Sequence, residues 1–595
     1  MLAPDARMVL LDQLRPPVGY TMDAAVATTF TLDLSAALIP PLAFASFGLS
    51  GTPDPVAALE AVRACADRVD VFCQAGQMAV PSQPSDLMAF LEPMVHEVRR
   101  PRPGHLFHPK VWLLRYRAPG EPDRYRLLCL TRNLTHDHSW DVAVRLDGGI
   151  SGGPKAANRP LAELVRALPG LAVITPLPED RLDRIAGLAA DVRRVVWELP
   201  DDVTEISFHT FGIRGVRPSA DFSGYHQLVI APFLTDDGLA IVAPGFRDIA
   251  VVSRAEELDR LAPGTISGIT SYVVSSIAGL DEDSTGNDLD GQQILTGLHA
   301  KLYVTERNRR AHVFIGSANA TRAAFTGNVE FLVELEGGAT KLGLATFLGP
   351  EAPFHGLLEE YSTGGGAEPD PLDEGRRKLE DLLRNVASVP YTVLVKDSST
   401  AAYVLVVTTE QALPIPDGFK LTMELLTRPG DAQNLFAGPA NASFGPVPLP
   451  DVTPFLVVRA ISPDGLHGGT VIRGLLRNDP AGRLDEVLAR QVDTPEKFLR
   501  FLALLLGLGN PYLLAMLAGD GRSAGGYANA GPAPGIFELI LRALADRPEA
   551  LADLDRLVRR LQATESGRLV LPDGFEALWQ VVADARRLLG TVSSA

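Results

Sequence analysis

His299-Ala-Lys301 is followed by a strand-like hairpin and then by the turn Gly316-Ser-Ala-Asn319, and an earlier part of the chain repeats this order. The earlier copy reads His108-Pro-Lys110 and then Leu130-Thr-Arg-Asn133. With 11 His and eight Lys among 595 residues, composition alone predicts about 0.15 His-x-Lys triplets. Two copies in matching contexts therefore indicate a duplicated unit around which the chain is organised.

The segments around each copy follow one plan. Strand-like runs precede the His-x-Lys hairpin, and a further strand-like run closes each unit, which favours two α/β halves. Two segments between the halves, 160–168 and 179–199, have apolar residues at helical spacing. The predicted strands outside the hairpins are 27–34, 69–73 and 140–146 in the first half, and 227–233, 248–253 and 329–335 in the second.

The rest of the chain divides by composition. A stretch rich in Gly, Pro and acidic residues predicts a linker, and four short strands separated by Pro- and Gly-containing turns predict a small β-rich domain. Phe501–Ala518 is apolar, but Gly507, Gly509 and Asn510-Pro511 divide it into segments too short to span a bilayer. The predicted units are 1–150 (first half), 151–200 (helical connector), 201–361 (second half), 362–371 (linker), 372–480 (helix plus β-rich domain) and 481–595 (helical C-terminal region).

Charge and cysteine content limit the class of protein. The net charge is −17, so any anionic substrate must meet a local positive patch rather than the whole surface. Three cysteines without a C-x-x-C pair favour a reducing cytoplasm and give no support for a structural zinc site. The N-terminus lacks a continuous apolar segment, which argues against secretion.

The His-x-Lys spacing itself predicts chemistry. On a strand, residues i and i+2 point to the same side, so His108 and Lys110 project together, as do His299 and Lys301. If the two halves pair about a pseudo-twofold axis, both sets face one cleft. One imidazole can then attack phosphorus while the other, protonated, gives its proton to the leaving oxygen. The two ammonium groups can balance the charge of the transition state.

These residues resemble the H-x-K … G-S-x-N signature of the phospholipase D superfamily, in two copies over roughly residues 25–340. The resemblance implies two phospholipase D-like α/β halves forming a pseudo-dimer, and a metal-independent phosphodiesterase that uses a covalent phosphohistidine and no cofactor. In the family, a carboxylate at the position of Glu330 orients a catalytic His. The implied catalytic residues are His108, Lys110, Asn133, His299, Lys301, Ser317, Asn319 and Glu330, with no metal ligand.

The first copy departs from the family pattern. Leu130 stands where the family has Gly, and Thr131 replaces Ser, which keeps the hydroxyl. The Asp that often follows the family's Lys is absent from both copies. Asp141 corresponds to Glu330, so Thr131 and Asp141 are expected to support the site. Symmetry does not decide which His is the nucleophile, although family habit favours His108.

Basic residues are concentrated near the first copy. Residues 99–132 contain nine Lys or Arg and two acidic residues, a net +7. Such a segment is often only a solvated face, but here we interpret it as part of a groove for a polyanion. His136-Asp137-His138 raises a metal alternative, although a polar loop explains it as well. The residues assigned to nucleic-acid binding are Arg115, Arg117, Arg132, Arg309, Arg310 and Arg322.

The leading functional hypothesis is a cytoplasmic bacterial nuclease that cuts single- or double-stranded DNA. The resemblance further suggests restriction or phage defence beside a helicase or ATPase partner, because the chain has no G-x-x-x-x-G-K-[ST] phosphate loop. Both halves lie in one chain, so a homo-oligomer is not required, and no membrane contact is expected. The alternatives are a phospholipase or phosphatidyltransferase, and a nucleic-acid-binding module that has lost turnover.

Overall fold

The computed structural model describes residues 10–44, 62–136, 139–245, 248–275, 297–398, 402–492, 494–495, 497–498, 548–563, 565–572 and 575–582. The apolar run 501–518 and the residues Asp137 and His138 lie outside this part of the chain. Within the described helices, none combines the length and apolarity needed to cross a bilayer.

The first half contains a seven-stranded mixed sheet and a separate two-stranded pair. Its strands are β1 (Thr21–Thr29), β2 (Leu32–Asp33), β3 (Val69–Gln74), β4 (Met78–Ala79), β5 (Val95–Val98), β6 (Val111–Arg117), β7 (Arg124–Leu130), β8 (Ala143–Ile150) and β9 (Val195–Trp197). The large sheet has the order β5-β3-β1-β6-β7-β8-β9, and β2 pairs with β4. β1, β3 and β5 are parallel, whereas each neighbouring pair from β1 through β6 to β9 is antiparallel.

The second half contains an eight-stranded sheet of closely related order. Its strands are β10 (Val203–Phe211), β11 (His226–Ile230), β12 (Ile249–Val252), β13 (Thr270–Val274), β14 (Leu302–Arg307), β15 (Arg310–Gly316), β16 (Glu330–Gly338) and β17 (Leu358–Glu360). The order is β10-β16-β15-β14-β11-β12-β13-β17. Read from β13, it matches the first sheet strand for strand, with the same parallel and antiparallel pairings.

Helices between the halves pack into a core that both sheets share. The helix Arg159–Leu171 buries Leu161, Leu164 and Leu168 along one face, and the helix Glu179–Val192 follows it. Their buried residues join Leu113 of the first sheet and Leu302 of the second in one apolar cluster. Burial of this surface on folding is the main stabilising term, at about 25 cal/mol per Å² of apolar area.

Two predicted boundaries were wrong for physical reasons. The segment 179–199 does not stay helical to its end, because Val195–Trp197 pairs with β8 and alternates between buried and exposed residues. The strand predicted at 27–34 begins earlier, at Thr21, and ends at Thr29. The chain then bends into β2 and the short helix Leu34–Ala37, where Ser35 N donates to the Asp33 carboxylate.

The C-terminal part contains two further sheets. Helix Pro371–Ala387 starts at the end of the predicted linker, with Pro371 in its first turn and the Asp370 side chain accepting from Leu372 N. The sheets have the orders β22-β19-β18-β25 and β21-β20-β23-β24. The strands are β18 (Tyr391–Asp397), β19 (Tyr403–Leu413), β20 (Lys420–Leu425), β21 (Gln433–Leu435), β22 (Gly438–Val447), β23 (Phe455–Ile461), β24 (His467–Arg473) and β25 (Leu475–Arg477).

Helices near the C-terminus pack on the first half rather than standing apart. Val487 of the helix Arg483–Gln491 and Leu554 of the helix Pro548–Gln562 share an apolar cluster with Trp112 of β6. Other helices described are Leu10–Leu14, Ile39–Phe44, Asp236–Val242, Ala255–Asp259, Pro263–Ile266, Arg322–Thr326, Ala339–Leu342, Leu344–Leu348 and Glu565–Arg568, with 3₁₀ turns at Asp86–Leu91, His355–Leu357 and Leu449–Asp451.

Candidate active site

The first His-x-Lys segment enters its own sheet through β6 and is fixed by the other half. Phe107 forms a parallel bridge with Val329, the residue before β16. His108 N donates to Val329 O at 2.9 Å, and Val329 N donates to Leu106 O at 2.8 Å. The backbone of the second half therefore sets the position of His108.

The second segment is fixed in the matching way by the first half. Leu298 forms a parallel bridge with Trp140. His299 N donates to Trp140 O at 2.8 Å, and Trp140 N donates to Gly297 O at 2.8 Å. Each half thus holds the histidine segment of the other, through the residue that precedes its own carboxylate, Asp141 or Glu330. The two imidazoles are brought to one place by these reciprocal contacts.

Glu330 is the centre of a buried hydrogen-bond network. Its Oε2 lies 3.0 Å from His108 Nδ1 and accepts from Ser317 Oγ at 2.5 Å, while Oε1 accepts from Asn328 Nδ2 at 3.1 Å. The residue is only 1% exposed. An ionised carboxylate can only accept, so His108 carries its proton on Nδ1 and presents the lone pair of Nε2.

His299 has a different partner but the same orientation. Its Nδ1 lies 2.9 Å from the carbonyl oxygen of Thr131. A carbonyl cannot donate, and Lys301 Nζ is farther from the same Nδ1, at 3.3 Å, so the Nδ1 proton of His299 points to Thr131 O and the Nε2 lone pair is free. Both imidazoles therefore present Nε2 as a base or nucleophile in the free protein.

Each lysine folds back onto the histidine of its own segment. Lys110 Nζ donates to His108 O at 2.9 Å, and Lys301 Nζ donates to His299 O at 2.8 Å. Both lysines are 1% exposed. The i, i+2 spacing predicted that each pair would point to one side, and the structure places each ammonium beside its histidine.

The two motif turns use their hydroxyl groups alike. Thr131 N donates to Val142 O at 3.0 Å and Val142 N donates to Thr131 Oγ1 at 2.9 Å, just as Ser317 N donates to Phe331 O and Phe331 N to Ser317 Oγ, both at 3.0 Å. Each hydroxyl has one proton, which Thr131 gives to Val142 O and Ser317 gives to Glu330. In this structure the two hydroxyls therefore hold the backbone of the turns and orient Glu330.

Leu130 occupies the position of Gly316, and the two turns cannot have identical backbones. A Cβ placed on Gly316 would lie 2.2 Å from Phe331 O, a distance that no real contact allows. The first turn nevertheless retains the hydrogen bonds of Thr131. The glycine of the family signature thus allows a close backbone approach in the second copy that the first copy does without.

The asparagines of the two turns share a further property. Asn133 Oδ1 and Asn319 Oδ1 are buried, and neither has a hydrogen-bond partner among the residues that the structure describes. A buried amide without a partner is costly. A half-turn of either amide places Nδ2 at the same position, where it can donate to an oxygen of a bound phosphate.

Burial and mutual repulsion lower the basicity of the site. Burial, aided by the charges of Lys110 and Lys301, lowers the pKa of His108 to about 4 although Glu330 opposes this. Burial and the same two lysines lower the pKa of His299 to about 2. Burial lowers the pKa of Lys110 to about 7, and burial with the Lys110 charge lowers that of Lys301 well below its usual value. A bound anion would raise all four values.

Sequence reasoning missed four residues beside the site. Gln74 Oε1 accepts from Phe107 N at 2.8 Å, and Arg254 donates to Leu298 O at 3.0 Å, so each fixes the residue before a site histidine. The Phe30 ring packs edge-on against His108 at 5.1 Å. Arg384, from the helix after the two halves, lies 5.9 Å from the Phe30 ring centre. Each is an isolated residue at or just after the end of a strand, or on a distant helix, so no local pattern indicated it.

The structure does not bring most of the predicted basic residues to the site. Arg115 is five residues along β6 from Lys110, about 17 Å, and pairs with Asp23 at 2.6 Å and Asp191 at 2.7 Å. Its neighbour Arg117 pairs with Asp23 and Asp123. Ion pairs with these carboxylates neutralise both arginines at the end of the sheet away from Lys110.

The second hairpin shows the same correction. Arg309 lies in the turn between β14 and β15, and Arg310 pairs with Glu336 at 2.8 Å, at the end opposite Lys301. Only Arg132 and Arg322 of the predicted set lie beside the motif turns. Arg132 donates to Thr135 O at 2.8 Å, and Arg322 is exposed.

Within the described ranges, no cluster of three or more His, Cys, Asp or Glu could hold a metal ion.

Gly212 provides a test of the contact between the halves. It has φ +72°, and a Cβ there would lie 2.2 Å from Asn328 O and 2.9 Å from Val329 Cα. We expect Gly212→Ala to lower the free energy of unfolding by roughly 2–5 kcal/mol and to reduce activity, because Val329 O positions His108. Gly215→Ala is the control, since Gly215 has φ +83° with no atom within 4 Å. Denaturant unfolding that gives equal losses for both variants would contradict the proposed crowding.

The two sheets thus share one strand order, each carries a His-x-Lys segment at the matching strand, and each segment bridges to the opposite half. The sequence matches no protein-family model and no curated protein.

Solved structures with similar folds include yeast tyrosyl-DNA phosphodiesterase, with 13% identity, 56% of this chain and 88% of that chain covered, and a TM-score of 0.36. For phosphatidylserine synthase of Haemophilus influenzae the identity is 11%, 64% of this chain and 89% of that chain are covered, and the TM-score is 0.32. For polyphosphate kinase of Porphyromonas gingivalis the identity is 14%, 55% of this chain and 42% of that chain are covered, and the TM-score is 0.30. The chain therefore spans less than half of that protein. At these identities the likeness is one of fold alone.

Proposed function

We propose that this chain is a metal-independent phosphodiesterase, and more narrowly a DNA nuclease of a bacterial restriction or phage-defence system. The observation that carries the proposal is the pair of imidazoles, buried His108 and partly buried His299, each fixed through Nδ1 and each presenting Nε2. In this proposal the two halves act as a pseudo-dimer, so that one chain forms a complete site.

The reaction divides into two displacements. His108 Nε2 attacks phosphorus, the bond to the leaving oxygen breaks, and that oxygen takes a proton from His299. Water then attacks the phosphorus of the phosphohistidine and gives its proton to His299. The bond between phosphorus and His108 Nε2 breaks, and the second product is released. His299 must be protonated for the first step, and the negative charge of the bound phosphate favours that proton.

The surrounding groups stabilise the charges that these steps create. Glu330 accepts from His108 Nδ1 and supports the positive charge that the ring acquires when it bonds to phosphorus. Lys110 and Lys301 lie where they can meet the nonbridging oxygens, and Asn133 and Asn319 can donate to them. Together these groups can balance the transition-state charge that a divalent metal balances in other nucleases.

The biological setting belongs to the same proposal. A DNA nuclease of this kind would act in the cytoplasm, beside a helicase or ATPase that opens or moves the DNA. Two of the proteins with similar folds act on different substrates by name, a tyrosyl-DNA phosphodiesterase and a phosphatidylserine synthase. Substrate must therefore be established by assay, because one fold can serve several chemistries.

A direct assay in chelator tests the reaction. We expect the purified chain to cleave labelled DNA in excess chelator at the rate seen with added Mg²⁺. RNA and phospholipid vesicles serve as parallel substrates. Loss of cleavage in chelator, restored by a divalent cation, would contradict the metal-independent mechanism. Binding of DNA without cleavage under every condition would instead favour a binding module, in which the turn at Leu130 has cost the protein its turnover.

A further inference from the structure

We infer that Phe233 and Arg254 form a stacking platform for an unpaired nucleobase next to the phosphate that the protein cleaves. This inference rests on the proposed function and narrows its substrate to single-stranded DNA, or to a strand end that is locally unpaired.

The platform consists of an exposed aromatic ring held by a guanidinium group. Phe233 follows β11 and is 41% exposed, whereas most large apolar side chains of this half are buried. The Arg254 guanidinium carbon lies 4.8 Å from the centre of the Phe233 ring. This contact covers the ring on one side with a planar cation, which favours a fixed orientation of the ring.

The platform lies beside the second His-x-Lys segment. Ile230, at the end of β11, pairs with Leu302, the residue after Lys301. Arg254 donates to Leu298 O through Nη2 at 3.0 Å and through Nε at 3.3 Å. The charge of Arg254 also contributes, after burial and Lys110, to the lowered pKa of Lys301. A nucleotide adjacent to the cleaved phosphate would therefore reach the ring.

The aromatic ring that follows β1 in the first half does not offer such a surface. Phe30 is partly buried, with His108 against it at 5.1 Å and the Arg384 guanidinium at 5.9 Å. The asymmetry gives the cleft one side that positions the catalytic histidine and one side that can bind a base. A base in a duplex has both faces covered by its neighbours, so only an unpaired base can stack on Phe233.

The test measures binding of a short fluorescent oligonucleotide, about 12 nucleotides long, by anisotropy in a His108→Ala background that prevents cleavage. We expect Phe233→Ala to weaken binding of the single strand by roughly 5- to 150-fold and to leave binding of an abasic strand of equal length unchanged. Phe233→Trp should bind the single strand at least as well as Phe233. Phe436→Ala is the control. Phe436 is also exposed, at 75%, but it lies in the β-rich C-terminal part of the chain, far in sequence from the two motifs.

The outcomes separate this inference from the proposed function. If the wild-type protein cleaves DNA but Phe233→Ala binds the single strand normally, or loses the abasic strand equally, the platform is wrong and the nuclease proposal stands. If the wild-type protein neither binds nor cleaves DNA and acts on phospholipid vesicles, both are wrong. Equal affinity of the wild-type protein for duplex and single strand would also overturn the platform.

Discussion

His108→Ala is expected to lower the rate of phosphodiester cleavage by at least about 10³-fold, and His299→Ala by a comparable factor in the steady state. The reason is that the two rings act in sequence on one phosphorus atom. Without His108 no covalent intermediate can form, and water in a buried, positively charged site is a poor substitute. Without His299 the leaving oxygen has no proton donor and the attacking water has no base.

The two variants should differ in single-turnover experiments. With a substrate whose leaving group needs no proton, His299→Ala should still form a phosphohistidine, which accumulates because its hydrolysis is slow. His108→Ala should form none. Rapid quench with a labelled substrate, followed by mapping of the acid-labile phosphate, measures this difference. A phosphate trapped on His299 in the His108→Ala protein would reverse the assignment of nucleophile and acid.

The matched control for both variants is His226→Ala. His226 lies at the start of β11, pairs with Asp248 and has a side chain that is 45% exposed. We expect its replacement to leave the cleavage rate within a factor of about two, since surface changes rarely exceed ±0.5 kcal/mol. Equal cleavage by the wild type and by both site variants would show that a contaminant performs the reaction.

The duplicated pattern predicted the centre of the site well, for a simple reason. The period of a strand is two residues, so His108 with Lys110 and His299 with Lys301 needed no tertiary information to be placed together. The repeat also predicted two halves built on one plan, and the two sheets share one strand order. What remained to be seen was which group of one half would meet which group of the other, and the structure places Glu330 on His108 and the Thr131 carbonyl on His299.

The basic groove was predicted less well because nearness in sequence is not nearness on a strand. Arg115 is close to Lys110 in number, but an extended chain separates them by the length of β6. Its partners Asp23 and Asp191 are distant in sequence, so the local charge count included positive charges that the fold neutralises. Conversely, Arg254 stands alone in the sequence and meets Leu298 O, beside His299, only through the order of the strands.

Glu330 stabilises positive charge on residues of both halves. It contacts His108 directly, and its charge raises the pKa values of Lys110 and Lys301 against the larger effect of burial. The carboxylate itself has a lowered pKa: burial would raise it, but the nearby charge and hydrogen bond of His108 together with Lys110 and Ser317 outweigh burial. It is therefore ionised throughout the neutral range.

Glu330→Gln is accordingly expected to lower kcat by roughly 10²- to 10⁴-fold. A neutral amide cannot support positive charge on His108. Its NH₂ group would also face another donor, either Asn328 Nδ2 or His108 Nδ1, because both carboxylate oxygens of Glu330 accept hydrogen bonds. The pH profile should change as well. Lys110 needs its proton to bind the phosphate, and its pKa of about 7 includes the raising effect of Glu330. Removing that charge lowers the pKa further, so the alkaline limb of kcat/KM should move to lower pH.

The control for this variant is Glu334→Gln on the same strand. Glu334 likewise contacts histidines, His209 and His312, each at 2.7 Å, but it lies four residues from Glu330, about 13 Å along β16. Both variants break a partly or fully buried carboxylate–histidine contact, so both should lose stability. Only Glu330→Gln should move the alkaline limb, because only Glu330 acts on Lys110. A profile that shifts equally in the two variants, or in neither, would show that Glu330 holds the fold and does not tune the charges of the site.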